Sequence, residues 1–112
     1  VTPSSAAHGE QTEVLLSAGP FRLERIVSFG TASAKGFWYE QERPEWVLLA
    51  RGRARLAFEG DEPVDLESGD YVLIPAGVRH RVERTSSDAV WLALHFTPRG
   101  SGDNPRLPTI SR

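Results

Sequence analysis

No cysteine occurs among the 112 residues. That single absence excludes disulfide staples, thiolate metal sites and a cysteine nucleophile together, and it agrees with a reducing compartment. Charge of one sign is missing as well. Lys and Arg number 13 against 15 Asp and Glu, a formal net charge of −2, so the basic face that holds nucleic acid or an anionic membrane is not expected. No apolar run approaches the ~18 residues a membrane helix needs. The first stretch, Val1 to Gln11, lacks the basic start and apolar block of a secretory signal. A cytoplasmic protein with no nucleic-acid and no membrane partner is the expectation. There is also no G-x-S-x-G elbow, no phosphate-cradling glycine loop and no H-E-x-x-H pair. With three histidines and no cysteine, a Ser-His-Asp arrangement has little to be built from.

What is present suits one domain, with 39% apolar residues to fill one modest core. Residues 1–11 are Ser, Ala, Gly and Thr with little to bury and read as a flexible N-terminal arm. Residues 98–112 are rich in Pro, Gly, Asn and Asp and read as an irregular C-terminal tail. The folded domain is expected over 12–97. Its hydrophobic period is two and no ten-residue helical stripe appears. Phe21, Leu23, Val27 and Phe29 alternate with Arg22, Glu24 and Ser28, which predicts a strand with the apolar set on the core and the polar set in water. Ala54, Leu56 and Phe58 alternate with Arg53, Arg55 and Glu59 in the same way, and Val64 and Leu66 with Asp65 and Glu67. Trp46 to Ala50 and Val90 to Phe96 are apolar on both faces and read as deeper strands. Gly30, Gly36, Gly52, Gly60, Gly69 and Gly77 punctuate these runs at short spacing. Short strands so spaced predict an all-β sandwich or small closed barrel.

The segment Gly69-Asp-Tyr-Val-Leu-Ile-Pro75-Ala-Gly77-Val-Arg-His80 has its own logic. Gly69-Asp70 turns the chain, Tyr71 to Ile74 is a strand, and Pro75 ends it because it offers no ladder N–H. A new strand begins near His80, with His80, Val82 and Arg84 on one face. Val82 makes that face the inward one and points His80 into the interior. The spacing of Gly69, Pro75, Gly77 and His80 resembles the second cupin motif, G-x5-P-x-G-x2-H-x3-N, with Arg84 where the Asn would stand. Of the first motif, G-x5-H-x-H-x3–4-E-x6-G, the end is present as Glu45 and Gly52. Its two histidines are replaced, at Tyr39 and Gln41 with the shorter gap or Trp38 and Glu40 with the longer. Over about Phe21 to Phe96 the chain is most similar to small single-domain bacterial cupins of uncharacterised function, which implies a closed jelly-roll barrel, the double-stranded β-helix of the cupins.

The resemblance also implies chemistry. A typical cupin holds one divalent metal with two His and a Glu from the first motif and one His from the second. Here that carries over to Glu45 and His80, an oxygen and a nitrogen ligand suited to Zn, Mn, Fe or Ni. Glu40, Gln41 and His95 are candidates to complete the set, and Tyr39 a rarer one. Each has a plainer alternative: a charged residue opening a strand beside Pro44 for Glu45, a backbone-bonded histidine for His80, a hydrogen-bonded core histidine for His95, a solvated loop for Glu40 and Gln41. Phe37, Trp38 and Tyr39 suit core packing or a dimer contact better than stacking on a ligand. Arg53 and Arg55 suit a solvated sheet face.

Three functions stay open. One is a small-molecule-binding cupin with its site at the barrel mouth around His80, with or without catalysis, holding a divalent metal. The second is a metal-free ligand-binding or sensory module. The third, ranked last, is a metal-free isomerase or epimerase like some sugar-nucleotide cupins, with His80 as general base; such enzymes usually show a His–Asp pair and basic residues for the phosphates, and the sequence does not reveal that pair. A homodimer is expected, because a barrel this small leaves strand edges and apolar surface to cover.

Overall fold

In the computed structural model the described residues are 4–5, 10–30, 33, 36–97 and 109–110, the first and last pairs as backbone only. All their regular structure is strand: β1 Ser4–Ser5, β2 Glu10–Ala18, β3 Phe21–Ser28, β4 Glu45–Arg51, β5 Arg53–Phe58, β6 Val64–Glu67, β7 Tyr71–Ile74, β8 His80–Thr85, β9 Ala89–Phe96 and β10 Thr109–Ile110. The fold is the all-β jelly roll, with two antiparallel sheets and no helix among the described residues. The larger runs β1-β2-β3-β9-β4-β7-β10 and the smaller β6-β5-β8. No helix among the described residues is long and apolar enough to cross a membrane. Of the arm expected at 1–11, Ser4–Ser5 pair with Thr12 and Gln11 and Glu10 already belongs to β2. Of the tail, Thr109–Ile110 pair with Leu73 and Val72. The rest of both segments lies outside the described residues.

The core sits between the sheets. Val47, Leu49, Val72, Ile74, Ala89, Trp91 and Ala93 of the larger sheet meet Ala54, Leu56, Phe58 and Leu66 of the smaller. Strict alternation along β4 and β9 puts Glu45, Val47 and Leu49, and Ala89, Trp91, Ala93 and His95, on this inner face. These strands carry apolar residues on both faces, so their inner face is chosen by pairing rather than by pattern.

One expectation is reversed. Phe21, Leu23 and Val27 of β3 were expected inward, with Glu24 and Ser28 in water. In the structure Arg22, Glu24, Ile26 and Ser28 pair across to His95, Ala93, Trp91 and Ala89, all buried. Directly opposed residues of an antiparallel pair share a face, so Glu24 and Ile26 turn inward and Leu23 and Val27 outward. Phe29, expected on the core side, lies past the strand end and is 54% exposed.

Two glycines are required by their backbone. Gly77 has φ +80 and sends its N–H to the Gln41 carbonyl at 2.8 Å, tying the turn before β8 to the segment before β4. Gly52, between β4 and β5, has φ +90, and a Cβ there would lie 2.4 Å from Ser86 Oγ and 2.9 Å from Ala89 Cα.

Candidate functional site

A cavity of about 180 Å³ opens between the sheets, lined by Glu10, Glu24, Tyr39, Gln41, Glu45, His80, Trp91 and His95 above an apolar floor that includes Val47, Leu56 and Ile74. Strand register assembles it. Glu45 opens β4 directly behind the buried Pro44 and stands opposite His95 of β9. Glu24 is the diagonal neighbour of His95, since Arg22 is its direct partner. His80 opens β8 of the other sheet, paired with Phe58. Glu45, His80 and His95 are 7%, 6% and 9% exposed, so three buried ionisable groups from both sheets meet at one cavity.

Their contacts assign roles. His80 Nδ1 lies 3.0 Å from the Val78 carbonyl, which can only accept, so Nδ1 carries the proton and Nε2 the lone pair. Nε2 faces Glu45 Oε1 at 3.8 Å, too far for a hydrogen bond. His95 Nε2 lies 3.1 Å from Glu24 Oε1, so Nε2–H donates there, and 3.7 Å from Glu45 Oε2. Arg22 Nε approaches the other oxygen of Glu24 at 3.1 Å. Tyr39 is fastened over His80 by a reciprocal backbone pair, Tyr39 N–H to His80 O at 2.7 Å and His80 N–H to Tyr39 O at 2.9 Å. The rings stack at 5.8 Å.

Burial dominates the protonation states. It pushes the Glu45 carboxyl up to about 7, helped by the Glu24 charge and opposed by a Gln41 hydrogen bond and by Arg22. It pushes both imidazoles below their ordinary value, at His80 against the Val78 bond and at His95 against the attraction of Glu24. It also raises Glu10, and with the Glu10 and Glu45 charges it raises Tyr39. Near neutral pH the centre is a carboxyl at its midpoint between two uncharged imidazoles.

Of the residues singled out as ligands, the fold brings Glu45, His80, His95 and Gln41 to the cavity and leaves Glu40 out. Glu40 is exposed, 3.8 Å from Arg79. Phe37 and Trp38 also lie outside the lining; Trp38 is covered by the Arg81 guanidinium at 5.5 Å. Tyr39 does line the cavity. Glu24 and Glu10 were missed. Glu24 was read as the wet face of β3, and only the pairing with β9 reverses that. The one His–carboxylate hydrogen bond among the lining residues described is His95–Glu24, and it does not involve His80.

The donor types present suit a divalent ion, but their arrangement does not. His95 Nε2 is committed to Glu24, and among the described residues no three His, Asp or Glu side chains are grouped so as to hold a metal.

A family profile described as cupin domain matches residues 27–95. The chain is a cupin. Among solved structures, this cupin is similar to a putative mannose-6-phosphate isomerase from Ralstonia eutropha JMP134, at 40% identity over 84% of this chain and 89% of that one, with a TM-score of 0.77. It shares the fold of KdgF from Halomonas sp., at 18% identity over 88% and 90% of the two chains with a TM-score of 0.73. It shares it also with an RmlC-like cupin from Shewanella frigidimarina, at 14% identity over 88% and 85% with a TM-score of 0.73. No curated protein matches the sequence.

Proposed function

We propose that this cupin is a proton-transferring enzyme for a small organic molecule bound in the Glu45–His80–His95 cavity. The observation that carries the reading is the gap of 3.8 Å between Glu45 Oε1 and His80 Nε2, unbridged by any hydrogen bond, at the wall of the cavity. A base with its lone pair free and an acid at its midpoint near neutrality are what general acid–base catalysis needs at pH 7. On an α-hydroxycarbonyl compound, His80 Nε2 takes the proton from the carbon beside the carbonyl. The Glu45 carboxyl proton goes to the carbonyl oxygen, leaving a neutral enediol; return of the protons at the exchanged positions completes an isomerisation with no net redox change. Glu24 holds His95, and Tyr39 covers His80. The name of the Ralstonia relative, an isomerase, agrees with this class of reaction. At ~30 Å³ per water the cavity holds about six waters, room for a molecule of similar heavy-atom count.

Incubation with glyceraldehyde or dihydroxyacetone in D₂O tests it, read by NMR as enzyme-dependent deuterium uptake at the carbon beside the carbonyl. Uptake that falls about 10²- to 10⁴-fold in His80→Gln and in Glu45→Gln supports the assignment. No uptake with wild type, or full rates in both variants, overturns it.

A divalent ion held by His80, His95 and Glu45 is a second reading, favoured by the unengaged Nε2 of His80 and the approach of both imidazoles to one carboxylate. It requires His95 to leave Glu24. Elemental analysis of protein purified without a metal-affinity tag decides it: about one equivalent of Zn, Mn, Fe or Ni supports the ion, and none, with no thermal shift on adding those metals, removes it. The expected setting is the cytoplasm and the expected assembly a homodimer.

A further inference from the structure

We infer that the cavity selects a positively charged, donor-rich small molecule, an organic ammonium, and turns away phosphates and carboxylates; this rests on the reading of the cavity as the ligand site. The support is the census of polar atoms that face it. Glu10, Glu24 and Glu45 all line the cavity, and among the described residues no Lys or Arg does. Arg22 meets Glu24 through its second oxygen and is not itself a lining residue. The unengaged atoms are acceptors. His80 Nε2, on a side chain more than nine-tenths buried, presents a lone pair with nothing bonded to it among the described residues, and Gln41 Oε1, a buried atom of another lining residue, has no hydrogen-bond partner among them. On the donor side, the His95 N–H is spent on Glu24 and the Gln41 amide on Glu45, which leaves the Tyr39 hydroxyl and the proton of the Glu45 carboxyl.

Buried acceptors without donors are costly, so the ligand that matches this wall brings N–H groups to them, beside the hydroxycarbonyl on which His80 and Glu45 act. An ammonium supplies such groups together with a charge opposite to that of the glutamates. A phosphate adds two negative charges and three acceptor oxygens to a cavity already furnished with both. The Ralstonia relative's name points to a sugar phosphate; this cavity, by its charge, points elsewhere.

Three probes of nearly equal size and different charge test the inference: 1-amino-2-propanol, 1,2-propanediol and lactate, titrated at pH 7 into the full chain after dialysis against EDTA. The readout is the ring-proton NMR signals of His80 and His95, assigned with His80→Gln and His95→Gln. Binding of the ammonium about tenfold tighter than the diol, with lactate weaker still, supports the inference, since one close charge pair is worth about that much. So does a loss of that preference in Glu10→Gln and Glu24→Gln, each verified as folded by circular dichroism. Lactate binding best at these signals overturns the charge selection while leaving the cavity as the ligand site. No perturbation by any probe overturns both. Loss of ammonium binding on adding stoichiometric ZnCl₂ overturns the organic cation in favour of a metal ion in its place.

Discussion

Glu45 is the residue whose environment departs furthest from its ordinary state. A carboxyl raised to about 7 by burial binds its proton more tightly in the folded chain than in the unfolded one. The folded state is therefore favoured fully below the ordinary carboxyl range, and that contribution disappears as pH rises through 7. At 1.36 kcal/mol per pH unit the loss is on the order of 3 kcal/mol. The two histidines act in the opposite sense. Their lowered values make protonation costly in the fold, so their contribution is present above the ordinary imidazole range and lost as pH falls. The comparison that isolates Glu45 is the difference between wild type and Glu45→Gln in urea denaturation from pH 5 to 8. The variant should gain on wild type from pH 5 to 7 and level off above that, by about 2–3 kcal/mol in all. A constant difference would show that Glu45 ionises normally.

Elements bring these residues together through turns that tolerate little change. At Gly52 a side chain would meet both a positive φ and the backbone of Ala89 at 2.9 Å. At Gly60, φ is +87 but nothing lies within 4 Å of the missing Cβ. Both Gly→Ala variants carry the conformational penalty, about 1–3 kcal/mol, and only Gly52→Ala adds the collision with the turn that leads into β9. Chemical denaturation should therefore rank Gly52→Ala well below Gly60→Ala, and equal stabilities would mean that the Ser86–Ala89 turn gives way freely. The consequence reaches the site, because β9 carries His95 and pairs with the strands that carry Glu24 and Glu45. The arginine face of β5 behaves as its pattern indicates: Arg55 meets Asp65 at 2.7 Å and 3.1 Å on the outside of the smaller sheet.

At the scale of the whole molecule, the reversed face of β3 explains an apolar exterior. Leu23, Leu94 and Trp46 stand side by side across β3, β9 and β4 on the outer face of the larger sheet, next to Leu92 and Leu48, and all five are only half-buried. An apolar row of this kind on an outer sheet face suits a second copy of the chain. Light scattering at micromolar concentration should give a dimer, and Leu92→Glu with Leu94→Arg should give a folded monomer; a wild-type monomer would refute the assembly.

Much of the architecture was legible in the sequence because it is local. Period-two alternation, the glycine spacing and the Gly69–His80 segment set where strands begin and end, and they placed His80 inward on the strength of Val82. Glu45 was named by the resemblance to the first cupin motif, whose Glu and closing Gly stand here at Glu45 and Gly52. The sequence by itself pointed to the wrong inner face of β3, whose pattern puts more apolar residues on the Leu23 side, and left the face of β9 open, because that strand is apolar on both sides. Only the pairing of Ile26 with Trp91 and Glu45 with His95 made that choice. It brought in Glu24 and His95, excluded Glu40, and set His80 of one sheet across 3.8 Å from Glu45 of the other. Strand and turn propensities act over a few neighbouring residues, whereas the site is a meeting of residues as far apart as Glu24 and His95, decided by register and by the packing of two sheets.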